Sequence, residues 1–178
     1  MINGHPEREE CMNMLREYNT PENVVRHCMA VADAAVKIAE SLNAKGFAFN
    51  VPLVQAAGLL HDIARVNDRH WKVGADFVSE RGYPQEAEII RYHMTHTFNT
   101  DPAKLKEKDM VCLGDRLVLE DGYVGIDERM DYVIRKANGD IRVARIINEK
   151  REISRTLIRN IEKILNISMK ELITGEGD

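Results

Sequence analysis

The sequence predicts an all-α fold, a single compact helical domain with a long charged C-terminal helix. Three observations lead there. Apolar residues recur at three- and four-residue spacing along most of the chain. Proline or a short polar residue stands where helices would open, and glycine where they would close. No stretch sustains two-residue alternation with β-branched enrichment, so no strand is expected.

The first helix is predicted from Pro6 to Tyr18. Thr20-Pro21 reads as an N-cap and a first-position proline. Val24, Cys28, Val31, Ala35, Ile38, Ala39 and Leu42 then form one apolar stripe that ends by Gly46. Pro52 opens a second core helix through Ala57, Leu59 and Leu60. The short polar stretch from Val66 to Arg69 precedes a helix from Trp71 to Glu80, which stops at Gly82. Pro84 starts the next, through Ile89, Ile90 and Met94. Thr95 to Asp101 is a loop, with Asp101-Pro102 again a cap and proline. Leu105 to Leu119 is expected to be helical and to close near Gly122. Ile126 to Lys136 and Ile141 to Leu165 follow, divided by Asn138-Gly139, and Met169 to Ile173 forms a last short turn. No repeat, linker or composition break divides residues 1–178, so one domain is expected.

A chain of 178 residues can bury a core without disulfides or structural metal. Its 25 basic and 29 acidic residues give a net charge of −4, which argues against a dedicated nucleic-acid binder. A small anionic substrate held by a few local cations is compatible with it. Cys11, Cys28 and Cys112 are odd in number and flanked by apolar residues, as buried thiols in a reducing cytoplasm would be. The polar start MINGHPEREE does not read as a signal peptide. Val51 to Leu60 is about half the length needed to span a bilayer. The charged face of the last long helix (Arg142, Arg145, Glu149, Lys150, Arg151, Glu152, Arg155) is either solvated or a subunit contact, the latter giving a homodimer.

The informative residues are polar ones on apolar stripes. His27 follows Val24 by three and precedes Val31 by four. His61 and Asp62 directly follow the apolar run AAGLL. His93 follows Ile89 by four and Ile90 by three. Asp115 lies between Val111-Cys112 and Val118-Leu119 at the same spacings. An unpaired buried carboxylate is strongly disfavoured. These groups either neutralise one another as an ion-pair cluster or meet at a divalent metal, whose charge offsets their desolvation. Mixed nitrogen and oxygen donors suit Fe, Mn, Co, Ni or Zn rather than an all-oxygen Ca²⁺ cage.

His27, His61-Asp62 in AGLLHDIAR and Asp115 in CLGDRL resemble the H…HD…D signature of the HD superfamily of metal-dependent phosphohydrolases. The resemblance covers residues 21–124, leaving 125–178 as a helical extension. His70 in RHWKVGADFV and His93 in IIRYHM resemble two further ligands of the subfamilies that hold two metals. The IIRYHMT segment is similar to bacterial dinucleoside tetraphosphate hydrolases in particular. The resemblance implies that His27, His61, Asp62 and Asp115 hold one ion, with Asp62 bridging to a second held by His70 and His93. Magnesium joins the candidate ions on this ground. It further implies a cytoplasmic phosphohydrolase that cleaves a phosphate ester or anhydride of a small nucleotide-like substrate through a metal-activated hydroxide. No membrane or nucleic-acid partner is implied.

Arg65, four residues after His61, is a candidate phosphate ligand, with Arg69 and Arg91 behind it. Asp68 is a candidate to orient a ligand histidine. His96, one helical turn beyond His93, either lines the cavity as a proton donor or caps a helix end. His5 reads as inert. A di-iron HD-type oxygenase and a metal-bound regulatory domain without turnover are the alternatives.

Overall fold

A computed structural model describes residues 4–177. The first three residues of the polar N-terminal stretch lie outside that range. Among the described residues the chain forms nine α-helices, one 3-10 turn and a minimal hairpin. In order these are α1 (Arg8–Glu17), α2 (Glu22–Asn43), α3 (Val51–Leu60), α4 (His70–Glu80) and α5 (Pro84–Tyr92). After the 3-10 turn (Pro102–Lys104) come α6 (Glu107–Asp115), β1 (Val118–Leu119), β2 (Gly122–Tyr123), α7 (Gly125–Lys136), α8 (Ile141–Leu165) and α9 (Met169–Thr174). The all-α reading holds. No helix among the described residues is long and apolar enough to cross a membrane.

The long helix α2 is the axis of the molecule, with α3 and α6 laid against it. Two glycines make that approach feasible. A Cβ on Gly58 would lie 2.8 Å from the Ala32 Cα, and one on Gly114 would lie 2.8 Å from the Val31 carbonyl oxygen. These are helix crossings that only a missing side chain permits. They also set the place of two acid–base side chains, because His61 lies three residues past Gly58 and Asp115 follows Gly114 directly. The core divides in two around this axis. Leu15, Leu59, Leu60, Ile63 and Ile90 pack on one side. Leu42, Leu53, Leu113, Leu157 and Ile161 pack on the other, which brings the C-terminal half of α8 into the core.

Four local expectations change. Thr20 does not cap α2, which opens at Glu22 with the Val24 and Val25 amides on the Pro21 carbonyl. The Thr20 hydroxyl donates instead to the Ile63 carbonyl at 2.8 Å, tying the start of α2 to the turn after α3. The helix expected through Leu119 ends at Asp115. Val118 then pairs with Tyr123 and Leu119 with Gly122 in an antiparallel hairpin. Glu120 turns that hairpin at φ 55°, in the left-handed region. Two-residue strands are too short to show alternation, which is why the pattern hid them. Finally, α5 stops at Tyr92 rather than running through Met94, and α4 starts one residue earlier than expected, at His70.

The three cysteines are buried free thiols, as expected. Burial pushes Cys11 and Cys112 up to about 12. Along α8 the first half is solvated, with Ile141 and Ile146 exposed, while Leu157, Ile158 and Ile161 are buried.

Candidate metal centre

Three histidines are oriented by the same device. The ring Nδ1 of His27 bonds the Glu120 carbonyl at 2.8 Å, that of His61 the Gly58 carbonyl at 2.8 Å, and that of His93 the Ile90 carbonyl at 2.6 Å. A carbonyl only accepts, so Nδ1 carries a proton in each ring, and in the neutral ring Nε2 is the nitrogen that has the lone pair. His61 and His93 stand one residue past the ends of α3 and α5, so each bonds back three residues into its own helix. The Glu120 carbonyl is aimed by its left-handed backbone, and that hairpin, absent from the sequence reading, is what fixes His27.

The donor atoms fall into two adjoining trios. His27, His61 and Asp115 form one, and Asp62, His70 and His93 the other, with the donor atoms in each within 4.8 Å of one another. Asp62 faces both. Its Oδ1 lies 3.2 Å from His70 Nε2 and 3.7 Å from His93 Nε2, while its Oδ2 lies 3.8 Å from His61 Nε2. His27 Nε2 lies 3.2 Å from Asp115 Oδ1. The six residues proposed from the sequence are therefore brought together, including His70, which is buried at the first position of α4.

The donor set fits a cation. Of the three buried side-chain polar atoms without a hydrogen-bond partner among the described residues, two belong to this centre, His61 Nε2 and Asp62 Oδ1. Leaving such atoms unpaired costs about 1–3 kcal/mol each, and both are lone-pair donors that a divalent ion satisfies. The charge state agrees. Burial drives His61 down to about 4, keeping it neutral. Burial opposes ionisation of Asp62, yet the imidazoles of His61, His70 and His93 hold its carboxyl well below the usual range. Asp115 is likewise held low against burial, by His27 and Arg129. Burial lowers His27 and His93, but Asp115 and Asp62 respectively outweigh it and raise them.

A cavity of about 450 Å³ opens onto the centre. Its lining includes His27 and Asp62, three arginines from three different elements (Arg26, Arg65 and Arg129), and Tyr132 of α7. Arg65 meets Asp62 Oδ2 at 3.4 Å. It does so from a turn, since α3 ends at Leu60, so it does not share a helical face with His61 as the sequence suggested. Arg129 was not singled out from the sequence. Its Nε donates to the Asp115 carbonyl and its Nη2 to Asp115 Oδ1, both at 3.2 Å. The one available signal was its place three residues after the buried Ile126 on α7.

Other candidates lie elsewhere. His96 Nε2 bonds Asp109 Oδ1 at 2.6 Å and its ring packs on Phe98, so the structure does not bring it into either trio. Arg91 pairs with Asp76, Arg69 precedes α4 with φ 52°, and Asp68 is exposed. Backbone carbonyls do the orienting expected of Asp68. His5 is not idle: it bonds buried Glu86 at 2.6 Å and Asn50 at 2.8 Å, fastening the N-terminal stretch to α5 and α3.

Comparison with known proteins gives a consistent picture. The HD domain family model matches residues 24–119. An uncharacterized protein of Methanocaldococcus jannaschii is 37% identical over 87 residues, 47% of this chain and 51% of that one. A Ribonuclease Y of Dehalococcoides mccartyi is 33% identical over 102 residues, 53% of this chain and 18% of the relative. The chain thus spans about half the length of the first of these relatives and much less of the second. No solved structure matches.

Proposed function

Since the chain belongs to the HD domain family, of the metal-dependent phosphohydrolase superfamily, we propose that it hydrolyses a phosphate ester or anhydride of a small nucleotide-like substrate, using two divalent ions. The observation that carries this is Asp62, whose two carboxylate oxygens face different histidine sets. His27, His61 and Asp115 would hold one ion and His70 and His93 the other, with Asp62 as the residue shared between them. Such a pair would supply Lewis acidity and would lower the pKa of a bound water toward neutrality. The ion identity is drawn from Fe, Mn, Co, Ni, Zn or Mg.

The chain's own residues do the rest. The carbonyls of Glu120, Gly58 and Ile90 keep three Nε2 atoms turned inward. Arg65, half exposed beside Asp62, is the residue placed to fork onto a phosphate. Arg26 and Arg129 also line the cavity, where Asp62, Glu120 and Asp121 balance the three arginines, so net positive charge for an anionic substrate would come from the ions. In this reading the domain runs over residues 1–178 and works in the cytoplasm. A dinucleoside polyphosphate is the finer substrate proposal, supported by the IIRYHMT segment.

The similarity to a Ribonuclease Y supports a second reading, a phosphodiester in RNA. The modest cavity volume, about 450 Å³, and the acidic Glu120 and Asp121 in its lining favour the smaller substrate. The test is a screen of the metal-reloaded protein against dinucleoside polyphosphates, nucleoside phosphates, cyclic nucleotides, an aryl phosphate and short RNA. Turnover of the first two classes is expected. Turnover of RNA alone would transfer the assignment, and no turnover of any would refute the hydrolase reading.

A further inference from the structure

The family-matched segment ends at residue 119, yet the chain beyond it holds one half of the centre directly and braces the loop next to the other. On one side Arg129 of α7 holds Asp115 by main chain and side chain at once, through Nε and Nη2. Its side chain is only 17% exposed, unlike a surface ion pair. On the other side α8 straps the loop that follows His93. Lys150 Nζ donates to the Met94 carbonyl at 3.2 Å, and Asn160 Nδ2 to the Thr100 carbonyl at 2.8 Å. Buried Arg116 ties Ser154 of α8 to the His96 carbonyl.

We infer that Arg129 is a positioning residue for Asp115, and the α8 strap a positioning device for His93, so that the C-terminal helices set the ion affinity of the two halves separately. This rests on the two-ion reading above. The chemistry of the Arg129 contact is specific. His27 reaches Asp115 through Nε2, the nitrogen it would offer to an ion. With that nitrogen engaged, Arg129 is the cation that still holds the carboxylate, and its planar fork, one donor on the Asp115 carbonyl and one on Oδ1, ties the side chain to its own main chain. Lysine can supply the charge but not the second donor. The α8 contacts involve none of the six donor residues, so they act through the path of the chain between His93 and α6.

The experiment is calorimetric titration of the chelator-stripped full chain with Mn²⁺, and separately with Zn²⁺. Arg129→Met should weaken one binding event by ~10–100-fold and spare the other. Arg129→Lys should recover part of that loss. Lys150→Met should weaken the opposite event. Thermal melting of each stripped variant separates positioning from a general loss of fold. Unchanged affinities in Arg129→Met overturn the inference, as does an equal loss of both events that tracks a fall in the stripped protein's melting temperature. A wild type that binds one ion refutes the two-ion reading and the separate control of two halves. Even then, weakening of that single event by Arg129→Met would uphold Arg129 as the positioner of Asp115.

Discussion

The two trios are neighbours that share Asp62 as a wall, but they differ in environment. In the His27, His61 and Asp115 trio, the outer two side chains keep 14% and 22% of their surface exposed and His27 lines the cavity. Their supports, the Glu120 carbonyl and Arg129, come from chain after the last predicted ligand. In the Asp62, His70 and His93 trio every residue is buried, and the scaffold is the packed unit of α3, α4 and α5. The contrast assigns different duties to the proposed ions. On the two-ion proposal, the buried trio would retain its ion, and the open one would meet substrate and exchange with solvent.

The harshest way to break the distinction is to remove what both trios share. Asp62→Ala should abolish bound metal and hydrolysis together, a loss beyond the ~10–100-fold expected on removal of a supporting partner. Elemental analysis alongside rates checks this, and full metal content in the variant would sink the bridging role. Next, His93→Ala and His27→Ala should each take metal content from two toward one per chain. Dialysis against a chelator should then strip the His93→Ala protein, which keeps only the open trio, faster than the His27→Ala protein. Equal release rates would erase the open-and-closed contrast.

A packing change should act on both trios at once. Gly58→Ala places a methyl group 2.8 Å from the Ala32 Cα, and overpacking of that kind costs about 1–3 kcal/mol. A chemical-denaturation midpoint would show it, with ion affinity falling because His61 moves with α3. Smaller still, Arg65→Ala should raise KM while leaving stability within ~0.5 kcal/mol, since the residue is half exposed. Unchanged KM and kcat would remove Arg65 from the phosphate site. The mildest change is Glu120→Gly, which keeps the carbonyl on His27 and suits φ 55°, so stability should move by less than ~1 kcal/mol.

The sequence made the scaffold and the donors legible for one physical reason. Placing His61, Asp62, His93 and Asp115 against apolar stripes leaves a visible conflict between period and polarity, and the conflict marks the candidate site. Supports drawn from the backbone leave no such mark. The Glu120 carbonyl could belong to any residue, and a hairpin of two-residue strands has no period to detect. Arg129 looked like any arginine on an amphipathic helix. His96 failed for a related reason: extrapolating one helical turn from His93 assumes a helix that has already ended at Tyr92. Thr20 had the chemistry of a cap, but α2 opens two residues later, at Glu22, and the Thr20 hydroxyl donates to the Ile63 carbonyl.

The bonds from His61 to Gly58 and from His93 to Ile90 have a consequence for the metal-free chain. The last carbonyls of a helix are orphans, and together they carry roughly half a negative elementary charge. Here α3 and α5 both aim that end at one point, and each ligand ring serves as the cap of its own helix. Stripping the ion therefore leaves two negative helix ends facing a buried carboxylate. The strain should surface locally, as faster amide hydrogen exchange in the final turns of α3 and α5, while the far ends of the same helices stay protected.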